Sequence, residues 1–317
     1  MTDGDQQSGR AAHDPPGTAA GGSFALSSTH GWKLRDATIA LDRPILLGVL
    51  NVTPDSFSDG GEYGSVDRAL ARVAEMIAEG VDLIDVGGES TRPQRATPVS
   101  TDEERDRVVP VIRAILAEHP AALISVDTVK ANVAAAALDA GAHAINDVSG
   151  FRLDAGMAAV CATAKAGVVL MHSRGSVSTM GTYEHAVYGD DPVGEMVAEL
   201  AEAQRRALDA GIAPESLVLD PGIGFAKRSE HSLSAIARLD RFLSLGAPVL
   251  VGASRKRFIG EITGVREPAR REFGTVGAHV AALSRGARLF RVHDVRAHRE
   301  ALDVAWRALG LTAPVPA

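Results

Sequence analysis

Short apolar runs alternate with longer amphipathic stretches from about residue 45 onward, and the cycle repeats about every 30 to 35 residues, as βα units do. The runs Ile45–Leu50, Asp82–Val86, Ala122–Val126, His143–Asn146, Gly167–Met171, Ser216–Leu219, Pro248–Val251 and Arg288–Val292 are nearly unbroken in apolar character. Strands covered on both faces of a parallel sheet read this way. Helical periodicity fills the gaps. Ser65 is placed to cap a helix whose inward stripe is Leu70, Val73, Ala74 and Ile77, ended by Gly80. Thr101 and Glu104 have the spacing of a capping box ahead of Val108, Val109, Ile112 and Ile115. Asp191, followed by Pro192, opens a helix with Val193, Met196, Val197, Leu200 and Ala203 on one side, closing near Gly211.

Eight such units predict an α/β fold, a single (β/α)8 TIM barrel over residues 31–317, with a doubly wound open sheet as the alternative. Trp32 to Leu41 alternates loosely and predicts a short N-terminal hairpin. Residues 1–30, rich in Gly, Ser, Ala, Asp and Gln with Pro15 and Pro16 together, read as a disordered tail.

Composition narrows the function classes. The chain is 45% hydrophobic and 23% charged, which suits a globular protein with a sizeable core. A net charge of −7 argues against partners that need a broad basic surface, so neither nucleic acid nor an anionic membrane is expected. A few local cations and helix N-termini can still hold a phosphate. The lone cysteine, Cys161, lies in a small-residue run and reads as a packed thiol. With no signal peptide or membrane span in the pattern, a cytoplasmic enzyme is expected.

Polar residues fall at the C-terminal ends of the predicted strands, where a barrel places its active site. Asn51, Asp85, Asp127, Asn146 with Asp147, His172, Asp220, Ser254 to Lys256, and Arg291 with His293 each follow or end an apolar run. One such residue is usually a turn former; strand after strand ending alike is a constellation. Asp127, Asn146 and Asp220 suit a flat heterocycle with adjacent N–H donors, because one carboxylate can accept two of them side by side. Lys256, Arg291 and His293 suit a phosphate or diphosphate. His172 reads equally as a core histidine or a ligand contact, and Asp85 and Glu89 equally as structural or functional. Lys227 and Arg255 read as solvated or as contacts for acidic substrate groups, ranked below Lys256. The charge-rich stretch Arg266 to Glu272 reads as a solvated helix start.

These residues resemble a known family. The fourteen residues from Gly48 to Gly61, GVLNVTPDSFSDGG, resemble the first signature of the dihydropteroate synthases, and DVGGESTRP from Asp85 to Pro93 resembles the second. SVDT at Ser125, NDVSG at Asn146, LMH at Leu170, LDPGIGF at Leu219, GASRK at Gly252 and RVHDV at Arg291 follow in family order. The resemblance implies a homodimeric (β/α)8 transferase of folate synthesis that joins a dihydropterin-methyl diphosphate to p-aminobenzoate. It implies that Asp127, Asn146, Asp220 and Lys256 hold the pterin, together with Met171, Phe225 and Val292. It also implies that Asn51, Arg291 and His293 hold the diphosphate, with Asn51 meeting Mg²⁺. Thr91 and Arg92 would come from a mobile second loop, and Phe57, Pro93 and Ser254 would border the p-aminobenzoate pocket where sulfonamides compete.

An aryl amine is a weak nucleophile, and no Ser-His or Cys-His pairing is in the pattern to activate it, so the expected reaction activates the leaving group. Arg291 and His293 with Mg²⁺ would neutralise the departing diphosphate, Lys256 would act at the pterin, and Asp59 on a closing loop would stabilise the cation left behind. Two alternatives stand beside this reading. A silent pterin-binding copy would show erosion in its first two loops, yet Asn51, Asp59, Thr91 and Arg92 are present. The pterin domain of a cobalamin-dependent methyltransferase would not need the Arg291-Val292-His293 run or the first signature.

Overall fold

The protein was analysed as a computed structural model, which describes residues 31–52, 61–89 and 99–311. A two-stranded antiparallel hairpin, β1 (Gly31–Lys33) and β2 (Thr38–Ala40), precedes the main fold. Strand–helix units then follow in order: β3 (Ile45–Asn51) and α1 (Gly61–Ala78), β4 (Leu83–Gly87) and α2 (Thr101–Glu118), β5 (Ile124–Asp127) and α3 (Ala131–Asp139). Next come β6 (Ala144–Asp147) and α4 (Met157–Ala164), then β7 (Gly167–Met171) and α5 (Pro192–Asp209). The last three units are β8 (Leu217–Asp220) with α6 (Ser229–Ala237) and α7 (Asp240–Leu243), β9 (Leu250–Val251) with α8 (Arg257–Thr263) and α9 (Glu272–Ser284), and β10 (Leu289–Val292) with α10 (Val295–Ala308).

All eight strands from β3 to β10 are parallel, in the order β8-β7-β6-β5-β4-β3-β10-β9. A parallel bridge between Leu219 and Val249 joins the two ends, so the sheet closes into the barrel that the repeat predicts and the open-sheet alternative falls away. Period-two alternation sorts the strand residues. Leu46, Leu50, Ile84, Val86, Ile145, Leu170, Leu219 and Phe290 face the helices in the larger core. Ile45, Leu47, Leu83, Ala144, Val169, Val218, Leu250 and Leu289 form a second cluster inside the barrel, and Trp32, Leu34 and Ile39 of the hairpin close it from below. Trp32 is fully buried and its Nε1 donates to the Ser216 carbonyl at 2.9 Å, which fixes the plug to the turn that enters β8.

Three local readings need correction. Helix α1 begins at Gly61, so Ser65 lies inside it and is not its cap. Its inward face is Ala69, Val73 and Met76, while Ala74 is exposed and Ile77 is 41% exposed. The barrel takes only one narrow stripe, and Met76 rather than its neighbour Ile77 lies seven residues from Ala69 on that stripe. At α2 the cap is Ser100, whose side chain accepts the Glu103 N–H, one position earlier than the capping box at Thr101. Glu104 is thereby freed to be buried, and it pairs with Lys130 instead. The Asp191 cap is as expected, accepting the Gly194 N–H ahead of Pro192. Cys161 is buried, and burial pushes its thiol up to about 12, leaving an inert packed group. Among the described residues no helix is long and apolar enough to cross a membrane.

Candidate active site

Two residues beyond the plug residues of six strands lies the next inward position, where four of the six residues are polar. Leu83 is followed by Asp85, Ala144 by Asn146, Val169 by Met171, Val218 by Asp220, Leu250 by Gly252 and Leu289 by Arg291. The pleat therefore builds one polar layer directly on the apolar plug, at the C-terminal mouth of the barrel. In-register pairing sets neighbours side by side: Asp127 against Asn146, Met171 against Asp220, Asn51 against Gly87.

Asp85 sits at the centre of this layer. Fully buried, it accepts the Arg291 Nε at 2.6 Å, the Ser125 hydroxyl at 2.6 Å and the Asn146 amide at 3.3 Å. Arg291 also donates from Nη2 to Asp127 at 2.7 Å, so one guanidinium bridges two carboxylates. Burial pushes the Asp127 carboxyl up to about 7; Arg291 opposes the shift and the nearby Asp85 charge adds to it. Sequence reasoning put Asp127 with the heterocycle and Arg291 with the phosphate, and the structure joins the two in a single ion pair.

Across the mouth, Asp220 is buried and accepts the Gly222 N–H at 2.7 Å. Burial raises its carboxyl to about 6, against the pull of that N–H, Lys256 and Lys227. Gly222 has φ +68°, and a Cβ there would lie 2.0 Å from the His172 carbonyl, so only glycine allows the β8 loop to lie this close to β7. The Lys256 ammonium stands 3.6 Å from the Phe225 ring centroid, a cation–π contact that presents both to the mouth. The His293 ring nitrogen Nδ1 and backbone N–H both meet the Ser254 hydroxyl, at 2.9 and 3.2 Å. Val292 is fully buried on the opposite face of β10, in the core beneath the helices, so it can meet a ligand only through its backbone. Three non-glycine residues with left-handed backbone, Phe151, Ala226 and Arg255, lie in loops at this same end of the barrel, where strain tends to collect at functional sites. Thr91, Arg92, Pro93, Phe57 and Asp59 lie outside the described residues.

Lys227 and Arg255, ranked below Lys256 by sequence, both have partners within the protein, while Arg266, Glu267 and Arg270 are exposed as expected. Arg255 pairs with Asp294. Arg271 donates to the carbonyls of Val265, Arg255 and Lys256, tying the loop after β9 to the start of α9. Lys227 is 1% exposed and bonds His172, which proves to be a core histidine. The burial of Lys227 was not foreseen because it arises from the β8 loop folding over β7, and nothing in its own neighbourhood of the chain signals that.

Comparison with known proteins completes the picture. The family described as pterin binding enzyme matches residues 47–293. A dihydropteroate synthase of Synechocystis is 43% identical over 268 residues, covering 84% of this chain and 91% of that protein. The folate synthesis bifunctional protein of Arabidopsis thaliana is 43% identical over 262 residues; these cover 79% of this chain, which spans only 54% of that longer protein. Among solved structures, dihydropteroate synthase from Thermus thermophilus in complex with 4-aminobenzoate superposes with a TM-score of 0.77 at 48% identity, covering 88% of this chain and 99% of that one. The Xanthomonas albilineans enzyme in complex with 7,8-dihydropteroate gives a TM-score of 0.76 at 43% identity, with 88% and 97% covered.

Proposed function

The chain belongs to the dihydropteroate synthase family of pterin-binding enzymes, and we propose that its barrel mouth condenses (7,8-dihydropterin-6-yl)methyl diphosphate with p-aminobenzoate to give 7,8-dihydropteroate and diphosphate. The observation that carries this reading is the inward polar layer, in which buried Asp85, Asn146 and Asp220 and the carboxylate Asp127 face Arg291. A layer that carries both acceptors and a cation matches a ligand that is heterocycle at one end and diphosphate at the other.

In this reading Asp127, Asn146 and Asp220 hold the pterin edge, and Lys256 lies along the ring with Phe225 and Met171 as apolar walls. Arg291 exchanges its Asp127 partner for a diphosphate oxygen, and His293, held by Ser254, turns its other nitrogen to the same group. The C–O bond to diphosphate breaks first, the electron pair leaving with the phosphate. The methylene cation spreads its charge into the pterin ring; the aryl amine lone pair then forms the C–N bond, and the nitrogen loses its proton. Family resemblance assigns Asp59 to steadying that cation, Thr91 and Arg92 to the substrates, and Phe57, Pro93 and Ser254 to the p-aminobenzoate pocket, where sulfonamides would compete. Mg²⁺ fits what the mouth offers. Asn51 brings one uncharged side-chain oxygen to the end of β3, and the described residues contain no cluster of three acidic, His or Cys side chains, so diphosphate oxygens and water would complete the shell. When bound, the metal would offset the charge growing on diphosphate.

We also assign the enzyme to the cytoplasm and to a homodimer. Helix α9 supports the second assignment: Phe273 is 87% exposed, Gly277 and Ala281 continue the same face, and Val304 of the adjoining α10 is exposed too.

The test is product formation: pterin diphosphate, p-aminobenzoate and Mg²⁺ are incubated with the protein and dihydropteroate is followed by mass. Activity that requires p-aminobenzoate and falls at least about 100-fold in Lys256→Ala supports the reading. Pterin binding without product would instead indicate a silent copy, and no binding would sink the assignment.

A further inference from the structure

We propose that Lys227 is a positioning residue for pterin capture: its buried ammonium keeps Asp220 in the carboxylate form and ties together the strand ends that carry Met171 and Asp220. The inference rests on Asp220 being a pterin-binding carboxylate.

Hydrogen-bond accounting favours the ammonium, which burial leaves dominant only below about pH 7. Lys227 Nζ lies 2.7 Å from His172 Nδ1, 3.0 Å from the Phe225 carbonyl and 3.4 Å from the His172 carbonyl. On its other side, the His172 ring places Nε2 3.1 Å from Glu199. Ionised Glu199 can only accept, so Nε2 carries the proton and Nδ1 is bare. Nδ1 and the two carbonyls then make three acceptors, which need three N–H donors. A neutral amine has two; an ammonium has three.

A buried ammonium without a carboxylate in contact is costly unless charge nearby offsets it. Among the described residues none forms a direct ion pair with Lys227. Asp220 and Glu199 supply the negative charge it feels, while Arg174 and Lys256 oppose them. His172 stays neutral, its pKa drawn down to about 4 by burial and then by Lys227. Tyr188, with its hydroxyl on the Ala226 carbonyl, and His231, whose pKa is lowered mainly by burial, complete the surround. The coupling runs both ways. Burial pulls Lys227 down to about 7 while Asp220 holds it up, and burial pushes Asp220 up to about 6 while the Gly222 N–H, Lys256 and Lys227 hold it down.

The same contacts fasten the site. His172 N–H donates to the Asp220 carbonyl at 2.9 Å, and the Gly222 turn lies on the His172 carbonyl. By gripping the His172 and Phe225 carbonyls together, Lys227 pins β7 to the loop after β8. Met171, Asp220 and Phe225 all lie on the segments so joined.

Removing the Lys227 charge raises the Asp220 pKa further, so the acid limb of pterin binding moves to higher pH. Far above that limb Asp220 is ionised with or without Lys227. The experiment measures the Kd of the pterin diphosphate substrate calorimetrically from about pH 5.5 to about pH 8.5, for wild type, Lys227→Met, Lys227→Arg and Asp220→Asn. Lys227→Met is expected to bind about fivefold more weakly than wild type at about pH 6, yet within about threefold at about pH 8.5, as a rise of about one unit from the Asp220 value of about 6 requires. Lys227→Arg should follow the wild-type curve. If the methionine variant does not fold, Lys227→Gln, which keeps two N–H donors without the charge, serves in its place. No loss at any pH overturns the proposal, and uniform loss at every pH overturns its charge coupling to Asp220. Wild-type binding by Asp220→Asn would overturn the underlying reading of the carboxylate instead.

Discussion

Asp85 touches Arg291, Ser125 and Asn146 with its two oxygens and no solvent, so three side chains from three other strands take their orientation from one carboxylate. An asparagine of the same shape offers one acceptor where two are used and turns an NH₂ toward a donor. Asp85→Asn is therefore expected to lower stability by about 3 kcal/mol, the scale for breaking a buried pair, and to cut pterin affinity by leaving Arg291 and Asn146 unfixed. Urea unfolding and pterin titration check both effects; a variant unchanged in both would remove Asp85 from the positioning machinery. At this scale the chemistry was legible in the chain. Asp85, Asp127, Asn146, Asp220, Lys256 and Arg291 stand at strand ends that apolar runs announce. Their partnerships were not legible, because which carboxylate meets Arg291 depends on strands up to 206 residues apart. Lys227 shows the opposite failure: it reads as solvated or as a contact for an acidic substrate group until the fold places it against His172.

At the scale of elements, the hairpin β1–β2 bears on the site from below. Trp32, Leu34 and Ile39 fill the base of the barrel and so support the inward layer on which the polar residues stand. Trp32→Ala would leave a cavity there and orphan the Ser216 carbonyl, and is expected to cost about 3–5 kcal/mol. Urea unfolding measures this, and a loss below about 1 kcal/mol would mean the plug is dispensable. The strands themselves were foreseen to within a residue or two. The polar residues that end them, Asn51, Asp127, Asp147 and Asp220, proved to belong to the strands. Helix faces were read less well. In α1 the tertiary contact selects Ala69, Val73 and Met76, and an equally apolar neighbour, Ile77, is left outside because a barrel strand accepts only a narrow stripe.

At the scale of the molecule, Phe273 on α9, beside Val304 of α10, is the most exposed large hydrophobic side chain among the described residues. Phe273→Glu places a charge on this face and is expected to convert a homodimer to monomers with the barrel intact. Sedimentation equilibrium reads the result; a wild-type protein that is monomeric at all concentrations, or a variant that stays dimeric, would discard this face as the interface. The sequence by itself determined the eight-unit repeat, the parallel strands and the strand ends that carry the chemistry, while closure into a barrel over an open sheet was decided by the structure. These follow from local periodicity and from polar residues following apolar runs, both of which a linear pattern records. Only the tertiary structure decided that Arg291 bridges Asp85 and Asp127, that Lys227 is buried against His172, and that Val292 turns away from the mouth. Pairings and burial of this kind arise from barrel closure and loop packing between distant segments, and single-chain periodicity carries no information about distances across a barrel.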